Sequence, residues 1–553
     1  MRCHVKEASL FARVKKSGRH EYLQIVENRR DGSRTVQRVL CTLGRLDQLQ
    51  EKYRIDPLVR SLARFSDKVL LVLSGKADVQ ARSRKIGPAL ICERLWSELG
   101  IGQVIGSLLT ERKFEFDVER AIFLTVLHRL FASGSDRSCD RWRRDYVING
   151  IEDLSLHHFY RAMAFLGEET TDQQSATPFA PRCTKDLIEE AMFATGRDLF
   201  SGLDMVFFDT TSISFEGQGG RTLGEKGYSK DHRPDLNQMV VGAVIDSQGR
   251  PICCELWPGN TADVTTLLPV TDRIRHRFGV GPFCLVADRG MIRAETVEEL
   301  DRRKIPYILG ARMRRVKQIR EQVLSAPGRY REVRPEGKRS KDPSPLKVKE
   351  VSLGDTRYII CLNPRQARKD AQNRQAIIEA LEDRLKAAPK SLIGNKGYRR
   401  YLTMDRGSLR LDHKKIEAES RFDGKWVLVT NTDFSADTVA LKYKELWQVE
   451  QVFRDVKSVL ETRPVFHQRD ETIRGHVFCS FLALVLKKEL DRRLETAGHS
   501  FEWADIQQDL KALQEVTIDD GGRSLVIRTE CQGTSGKVFQ AVGVAVPPTI
   551  REI

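Results

Sequence analysis

The chain has 553 residues, of which 40% are hydrophobic and 30% are charged. This balance excludes an intrinsically disordered chain, and the length exceeds what one hydrophobic core needs, so we expect several domains. Lys and Arg outnumber Asp and Glu by 92 to 76, and the net charge of +16 favours an anionic partner such as nucleic acid.

The positive charge is concentrated in two segments. Residues 1–60 hold 14 Lys and Arg against 7 Asp and Glu, and residues 311–350 hold 13 against 5. A single basic segment is usually a solvated face, but two of them in one chain favour a polyanion as the partner.

The eleven cysteines show neither a Cys-x-x-Cys pair nor a His/Cys spacing typical of zinc sites. This usage predicts reduced cysteines and a cytoplasmic protein. The residues after Met1 are charged and polar, so no signal peptide is expected. The longest apolar run, VFCSFLALVL, is shorter than the roughly 18 residues of a membrane helix, so no membrane contact is expected.

In chain order, a β-rich segment comes first. Residues 9–44 alternate apolar and polar positions around a Ser-Gly and an Asp-Gly turn, which predicts a small basic sheet. Residues 85–200 carry apolar residues at three- and four-residue spacing, interrupted by glycines and polar clusters, which predicts helices.

From residue 203 the pattern changes to short apolar strands, namely MVFFDTTSISF, MVVGAVID, PICCELWPG, FCLVADRG and PYILGAR. The segment DVTTLLPVTDRIRHRF, between the third and fourth of these, has helical spacing. Such a series predicts a mixed sheet with helices on its faces.

Residues 311–425 are basic and turn-rich, with a predicted strand at TRYIICLN and a predicted helix at QNRQAIIEALEDRLKAA. The segment KWVLVTNT predicts a further strand. A continuous helix is then expected from an N-cap at Ser435 to Leu460, followed by the helix GHVFCSFLALVLKKELDRRLE and a small mixed tail.

Three carboxylates in this part of the chain stand out. Asp209 follows the run MVFF and Asp288 follows FCLVA, and we interpret each as the end of a strand. The carboxyl ends of strands in open α/β sheets form the crevice where ligands usually bind. Glu450 lies on the helix predicted up to Leu460.

On a regular helix, Glu450 shares one face with Tyr443, Trp447, Arg454 and Lys457, and a neighbouring apolar stripe packs on the core. Taken alone, Glu450 and Arg454 are an ordinary surface pair worth roughly 0.2–0.5 kcal/mol. The apolar stripe consists of Leu446, Val449, Phe453, Val456 and Leu460.

Taken together, the three acids predict a metal centre. Two carboxylates within about 4 Å repel by roughly 4 kcal/mol at an effective dielectric near 20, so convergence needs a compensating cation. Mg²⁺ prefers such oxygen ligands, and two such ions support phosphoryl transfer. A basic chain with an acidic metal centre fits the cutting or joining of phosphodiesters.

Several other residues carry weaker signals. The segment GQGGRTLGEKGYSK lacks the G-x4-GK[ST] pattern, so no ATP site is expected. We expect structural or DNA-contacting roles for His232 and His476 and a helix-capping role for Asp263. Trp447 either stacks on a base or packs against the protein, and we favour packing. Arg289 is either a surface residue or a phosphate contact.

A family resemblance rests on the stretches FFDTTSISFEG, LGEKGYSKDHRPDLNQMVVGAVID, PGNTADVTTL, VADRGM, YKELWQVEQVFRDVK and IRGHVFCSFLAL, together with the N-terminal β-rich segment. The chain resembles bacterial insertion-sequence transposases of the DDE type. More narrowly, it is similar to the group with the signature Tyr-x2-Arg-x3-Glu-x6-Lys and a catalytic domain split by a β-rich insertion.

The resemblance implies a multidomain α/β protein with an RNase H-like core. Asp209 would lie on the first strand of that core, Asp288 just after the fourth strand, and Glu450 on a later helix. The implied divisions are a β-rich basic domain (1–75), a helical DNA-binding region (76–200), the first part of the core (201–310), a basic β-rich insertion (311–425), the second part of the core (426–500) and a C-terminal tail (501–553).

The resemblance also assigns roles to residues. Asp209, Asp288 and Glu450 would be the catalytic metal ligands, holding two Mg²⁺ ions for which Mn²⁺ can substitute. Tyr443 and Lys457 would contact DNA, and Arg289 is our further candidate for a DNA contact.

The chain departs from the signature at Leu446, which stands where the family has Arg and falls on the apolar stripe. Arg454 is our candidate for the missing charge, and so for a DNA contact.

The implied activity is transposition. Cleavage at the end of the element frees a 3′-OH, which then attacks target DNA in line, without a covalent enzyme intermediate. The partners would be terminal inverted repeats and target DNA, bound by a homodimer on the bacterial nucleoid without ATP.

Two alternatives remain open at this point. An RNase H-like nuclease or resolvase would share the carboxylates but would cut without strand transfer. A transposase-derived DNA-binding protein would not cut at all, although the presence of all three acids speaks against it.

Overall fold

A computed structural model describes residues 10–31, 34–51, 55, 57–59, 80–177, 180–195, 203–334, 346–387, 401–405, 408–519 and 524–552. The chain divides into two compact units. The smaller combines Met1–Arg84 with Ala512–Cys531 and Pro547–Ile553, and the larger combines Lys85–Lys511 with Gln532–Val546. The six divisions expected from the sequence are finer than these units and stay predictions.

The smaller unit contains two sheets, of which the first is antiparallel. The first has strands β1 (Leu10–Ser17), β2 (His20–Asp31) and β3 (Arg34–Arg45), followed by the short helix Leu46–Glu51. The predicted Ser-Gly turn joins β1 to β2, whereas the tip of the predicted Asp-Gly turn lies outside the described residues. The second sheet has the order β18-β17-β16-β4, formed by Ile550–Glu552, Ser524–Arg528, Gln514–Asp519 and Gln80–Lys85.

Helices dominate the first part of the larger unit, as the apolar spacing predicts. Side-chain caps mark some of their starts, since Asp117 accepts a hydrogen bond from the backbone N–H of Arg120 (3.0 Å) and Ser135 from that of Ser138 (3.2 Å). The helices are Gly87–Glu98, Ile101–Leu109, Val118–Phe131, Asp136–Trp142, Leu156–Gly167 and Thr184–Thr195.

The long helix Asp470–Thr496 is buried over much of its length and packs against Leu156–Gly167 and Val118–Phe131. Within the described part of the chain, no helix has the length and apolarity needed to cross a membrane. Two further helices, Trp503–Ala512 and Ser535–Val542, follow it.

A nine-stranded mixed sheet is the centre of the larger unit, with the order β10-β11-β12-β15-β9-β8-β5-β6-β7. Strands β5, β8 and β9 run parallel to one another, and the other neighbouring strands pair antiparallel. The strands are β5 (Met205–Ser214), β6 (Gln238–Asp246), β7 (Pro251–Pro258), β8 (Cys284–Ala287), β9 (Tyr307–Ala311), β10 (Arg331–Val333), β11 (Leu346–Leu353), β12 (Thr356–Leu362) and β15 (Lys425–Thr430).

Helices Leu267–Phe278 and Ala294–Arg302 contribute to the apolar core on this sheet, to which Phe208, Leu285 and Leu309 also belong. Residues 311–425 extend the sheet with β10–β12. They also form the helices Pro364–Ala387 and His413–Ser420 and a separate hairpin, β13 (Leu402–Asp405) and β14 (Ser408–Leu411). The mixed α/β architecture agrees with the sequence, while the RNase H-like core and the insertion stay predictions.

The prediction of one continuous helix up to Leu460 is wrong. The N-cap at Ser435 is confirmed, because its hydroxyl accepts a hydrogen bond from the backbone N–H of Thr438 (3.2 Å). The α-helical hydrogen bonds give way at Glu445–Leu446 to tighter bonds that span three residues. The chain therefore forms the helices Ala436–Lys444 and Trp447–Arg454, and then a π-helical turn at Asp455–Val459.

Candidate active site

Asp209 lies on β5, and Asp288 directly follows the neighbouring parallel strand β8. Phe208 of β5 pairs with Ala287 of β8, so the residue after each is a carboxylate at the same level of the sheet. The interpretation of Asp209 as the end of a strand is wrong, because β5 continues to Ser214 through its pairing with β6. Asp209 lies on β5 at the level where the neighbouring strand β8 ends, and its side chain is 21% exposed.

Asp263 is a third carboxylate close to Asp209 and Asp288. Its Oδ1 accepts a hydrogen bond from the Thr210 hydroxyl (2.8 Å), and its Oδ2 lies 3.2 Å from Nζ of Lys230. The expected capping role of Asp263 is wrong, since it begins the 3₁₀ helix Asp263–Thr265 without a side-chain capping bond. The sequence did offer a signal, because Asp263 lies in the stretch PGNTADVTTL.

Lys230 is the cation of this cluster. Its Nζ lies 4.0 Å from Oδ1 of Asp209 and donates hydrogen bonds to the Thr210 carbonyl (2.5 Å) and hydroxyl (2.8 Å). Lys230 ends the segment GQGGRTLGEKGYSK, which sequence reasoning assigned no chemical role.

Tyr443 contacts Asp288 directly. Its hydroxyl donates a hydrogen bond to Oδ1 of Asp288 (2.8 Å). Burial and the Asp288 carboxylate raise the pKa of Tyr443 well above its ordinary value, so the phenol stays protonated and remains a donor. Position 310, beside the Tyr443 hydroxyl, must be glycine. A β-carbon on Gly310 would lie 2.4 Å from the Tyr443 hydroxyl oxygen.

The electrostatics of the cluster favour a bound cation. Burial, together with repulsion by Asp288 and Asp263, raises the pKa of Asp209 from 3.8 to about 6, although Lys230 and the Thr210 N–H oppose the shift. The ammonium group of Lys230 thus lies beside two of the three carboxylates, Asp209 and Asp263. Carboxylate oxygens of this kind are the donors that Mg²⁺ prefers, so the residues present fit such an ion.

Glu450 does not join these carboxylates through a direct contact. It is exposed on the helix Trp447–Arg454, which packs against β5 and β6, and no hydrogen bond or ion pair of its side chain occurs among the residues that the structure describes. Over the same residues, Asp209, Asp288 and Glu450 do not form a group whose ligand atoms all lie within 4.8 Å of one another.

The predicted DNA contacts differ in their surroundings. Arg289 is exposed on the turn after Asp288, and Arg454 is exposed and donates a hydrogen bond to Gln451 (2.8 Å). Lys457 instead donates a hydrogen bond to Asp231 (2.9 Å), and burial lowers the pKa of its ammonium group. Arg463 pairs with the same Asp231 carboxylate, a partner that sequence reasoning missed.

The two faces predicted for the helix that carries Glu450 differ in how well the structure agrees with them. All five residues of the apolar stripe, including Leu446, are buried as expected. The packing role expected for Trp447 is wrong, because its side chain is 58% exposed. Trp447 and Glu450 lie three residues apart on the same helix, and both are exposed.

A second cluster satisfies a simple distance test for a metal site. One ligand atom from each of Asp136, His467 and His476 lies within 4.8 Å of the others. Nη2 of Arg129, however, lies 2.9 Å from Nδ1 of His476, and Nε2 of His476 lies 3.2 Å from the Thr462 carbonyl. Both ring nitrogens of His476 thus have partners, and the Arg129 guanidinium already supplies a positive charge beside this cluster.

Two family models match the chain. Residues 201–486 match the model described as "Transposase DDE domain", and residues 12–77 match "IS1634 family transposase, N-terminal domain". No curated protein sequence matches significantly.

Among solved structures, the chain is similar to the cryo-EM structure of a piggyBac transposase synaptic complex with hairpin DNA. That match has 11% identity and a TM-score of 0.36, and it covers 77% of this chain and 79% of that one. A resemblance this weak carries no argument about this chain.

Proposed function

We propose, because the chain belongs to the family of insertion-sequence DDE transposases, that it cleaves the ends of its own element and joins them to target DNA with Asp209, Asp288 and Glu450 as metal-holding carboxylates. The observation that carries this proposal is the register of β5 and β8. It brings Asp209 and Asp288 side by side at the end of β8, in the interior of the sheet, with the Lys230 ammonium group 4.0 Å from Asp209.

The order of the strands supports an RNase H-like core. Among the five consecutive strands β5 to β9, Asp209 lies on the first and Asp288 directly follows the fourth, as the family resemblance implies. We propose that the segment 311–425, whose strands β10–β12 extend the sheet, is the insertion that splits this core.

Each carboxylate has its own support. Asp209 is held by the backbone N–H of Thr210, which donates to its Oδ1 (2.7 Å), and Asp288 by the Tyr443 hydroxyl. Glu450 would complete the ligand set from its exposed position on the helix over β5 and β6. Bound Mg²⁺, or Mn²⁺ in its place, would polarise the phosphoryl group and activate the attacking oxygen.

The DNA contacts fall into two groups. The exposed guanidinium groups of Arg289 and Arg454 are available to phosphates as the structure stands. Tyr443 and Lys457 are engaged with Asp288 and Asp231, so a phosphate must replace or share those contacts. We propose that the protein acts on inverted repeats and target DNA in the cytoplasm, as a homodimer and without ATP.

Cleavage and joining of a labelled duplex carrying the end of the element test the proposal. With Mg²⁺, the wild type should release a 3′-OH end and join it to a target plasmid, whereas Asp209→Asn, Asp288→Asn and Glu450→Gln should do neither. Asp272→Asn is the matched control, because that carboxylate is 55% exposed and pairs with Arg303 away from the cluster.

The products also separate the alternatives. Cutting without joining would favour a nuclease, and binding of ends without cutting under Mg²⁺ or Mn²⁺ would favour a binding-only protein. Full activity in all three variants would remove the assignment of the carboxylates.

A further inference from the structure

We infer that Asp263 is a fourth carboxylate of the metal centre, and that the ammonium group of Lys230 holds the cation position until a divalent ion displaces it. This inference rests on the proposed function, because it concerns the same site. It assigns roles to two residues outside the three carboxylates of the DDE scheme.

The position of Asp263 supports the first part. Oδ2 of Asp263 and Oδ2 of Asp288 each lie 3.9 Å from the point that a β-carbon on Gly290 would occupy, so the two carboxylates flank the same glycine. On its other side, Asp263 is tied to Thr210, the residue after Asp209, by the hydroxyl hydrogen bond of 2.8 Å. Asp263 therefore reaches the other two carboxylates from the loop after β7.

Charge supports the second part. The side chains of Asp209, Asp263 and Lys230 are 21%, 26% and 29% exposed, so water screens their charges only in part. One ammonium group beside Asp209 and Asp263 cannot neutralise both of them together with the neighbouring Asp288. A divalent ion would bring twice the charge and would bind the oxygens directly.

Lys230 also has space into which it can move. A cavity of about 250 Å³ adjoins the cluster and is lined by Lys230, Tyr228, Arg293 and Arg312, among others. Arg312 donates hydrogen bonds to the carbonyls of Arg289 and Gly290 (2.9 and 2.8 Å), so its charge faces this cavity without a carboxylate partner in the described chain. A displaced Lys230 would join two arginines beside the cleavage site, where DNA phosphates would pass.

A purely structural role for the Lys230–Asp263 pair predicts a different outcome. If the pair only anchors the loop, loss of either partner should loosen the site and weaken metal binding. If Lys230 competes with the metal, the two substitutions should act in opposite directions. The sign of the effect therefore separates the two explanations.

The test measures the affinity of the full-length, DNA-free protein for Mn²⁺, by electron paramagnetic resonance of the free ion. It shows whether each substitution strengthens or weakens metal binding, and it needs no measurement of activity. Asp263→Asn should weaken binding by about tenfold or more. Lys230→Gln should tighten binding several-fold, and Lys230→Arg, which keeps the charge, should leave it near the wild-type value. Asp272→Asn is again the control, and thermal unfolding checks that each variant folds.

The outcomes distinguish this inference from the proposed function. Wild-type affinity in Asp263→Asn, together with weak binding in Asp209→Asn and Asp288→Asn, would overturn the role of Asp263 and leave the proposed function standing. Weaker binding in Lys230→Gln would overturn the displacement. Undiminished binding in Asp209→Asn and Asp288→Asn would remove the proposed metal centre itself. Should Asp263→Asn fail to fold, retained Mn²⁺ binding in Asp263→Glu against loss in Asp263→Ser decides the same point.

Discussion

The carboxylates at the end of β8 in the central sheet and the acid–histidine cluster among the helices differ in how their charge is compensated. In the sheet cluster, the Lys230 ammonium group lies beside Asp209 and Asp263, and Asp288 follows the strand that pairs with β5. In the helical cluster, Asp136 is the single acid, and Arg129 lies 3.9 Å from it. The ligand atoms are closer together in the helical cluster, yet the sheet cluster has the unmet demand for positive charge. Charge balance and the proximity of ligand atoms therefore favour different clusters, and the proposed metal centre follows charge balance.

The largest expected effect is on catalysis, and it should separate the two clusters. Asp288→Asn should lower the rate of end cleavage by on the order of 10³-fold or more, because it removes a metal-holding group. Asp136→Asn should leave the rate within a few-fold while lowering the free energy of unfolding by about 1–3 kcal/mol. Rates come from gel assays and stabilities from urea unfolding. Equal losses of cleavage rate in Asp288→Asn and Asp136→Asn would contradict this distinction between the two clusters.

The pH dependence of stability should also differ in sign between the clusters. Between pH 3.8 and about 6, the folded protein holds a proton on Asp209 that the unfolded chain releases, so the free energy of unfolding falls as the pH rises through this window. In EDTA at pH 7, Asp209→Asn should therefore be more stable than the wild type, by up to about 3 kcal/mol. The advantage should vanish near pH 4.

His476 should contribute in the opposite sense. Burial and the charge of Arg129 lower its pKa well below 6.5, so only the unfolded chain gains a proton as the pH drops below that value, and stability is lost. His476→Gln should remove this acid-side loss. Urea unfolding across the pH range measures both effects. An Asp209→Asn protein less stable than the wild type at pH 7 would contradict the charge deficit of the sheet cluster.

A smaller effect is expected from the hydrogen bond that holds Asp288. Tyr443→Phe removes the donor and keeps the ring, so cleavage should slow by about tenfold, which corresponds to roughly 1.4 kcal/mol. Apparent Mn²⁺ affinity should fall in parallel if the phenol orients the carboxylate. Tyr401→Phe, which changes a buried tyrosine within residues 311–425, is the control. An unchanged rate would assign Tyr443 to packing.

The smallest expected effect concerns DNA affinity. Asp231→Asn releases Lys457 and Arg463 and removes a negative charge, so the Kd for an end-containing duplex should fall a few-fold at low salt. Fluorescence anisotropy over a salt series measures the change. Asp235→Asn, an exposed acid in the same loop, is the control. Weaker binding by Asp231→Asn would show that the carboxylate positions Lys457 for DNA.

Sequence patterns predicted what depends on local periodicity. Strands β5 to β9 follow their apolar runs, and Ser435 begins its helix as its residue type suggests. The proximity of Asp209 and Asp288 was expected because each follows an apolar run in the sequence. The roles of Asp263 and Lys230 could not be predicted in this way, since they depend on loops 53 and 20 residues from Thr210 that fold back on it. The break at Glu445–Leu446 also leaves no periodic signal, and it places Tyr443 and Glu450 on separate helices.

Gly310 shows how a residue without a side chain can decide the phenotype of an allele. It has no atom that could act on DNA, and it lies on β9, between β8 and β15. A single added carbon would meet the Tyr443 hydroxyl at 2.4 Å and the backbone nitrogen of Arg289 at 2.9 Å. An alanine allele at this position would therefore resemble a defect at Tyr443 or Asp288, and a genetic screen for inactive elements would recover it among the catalytic mutants.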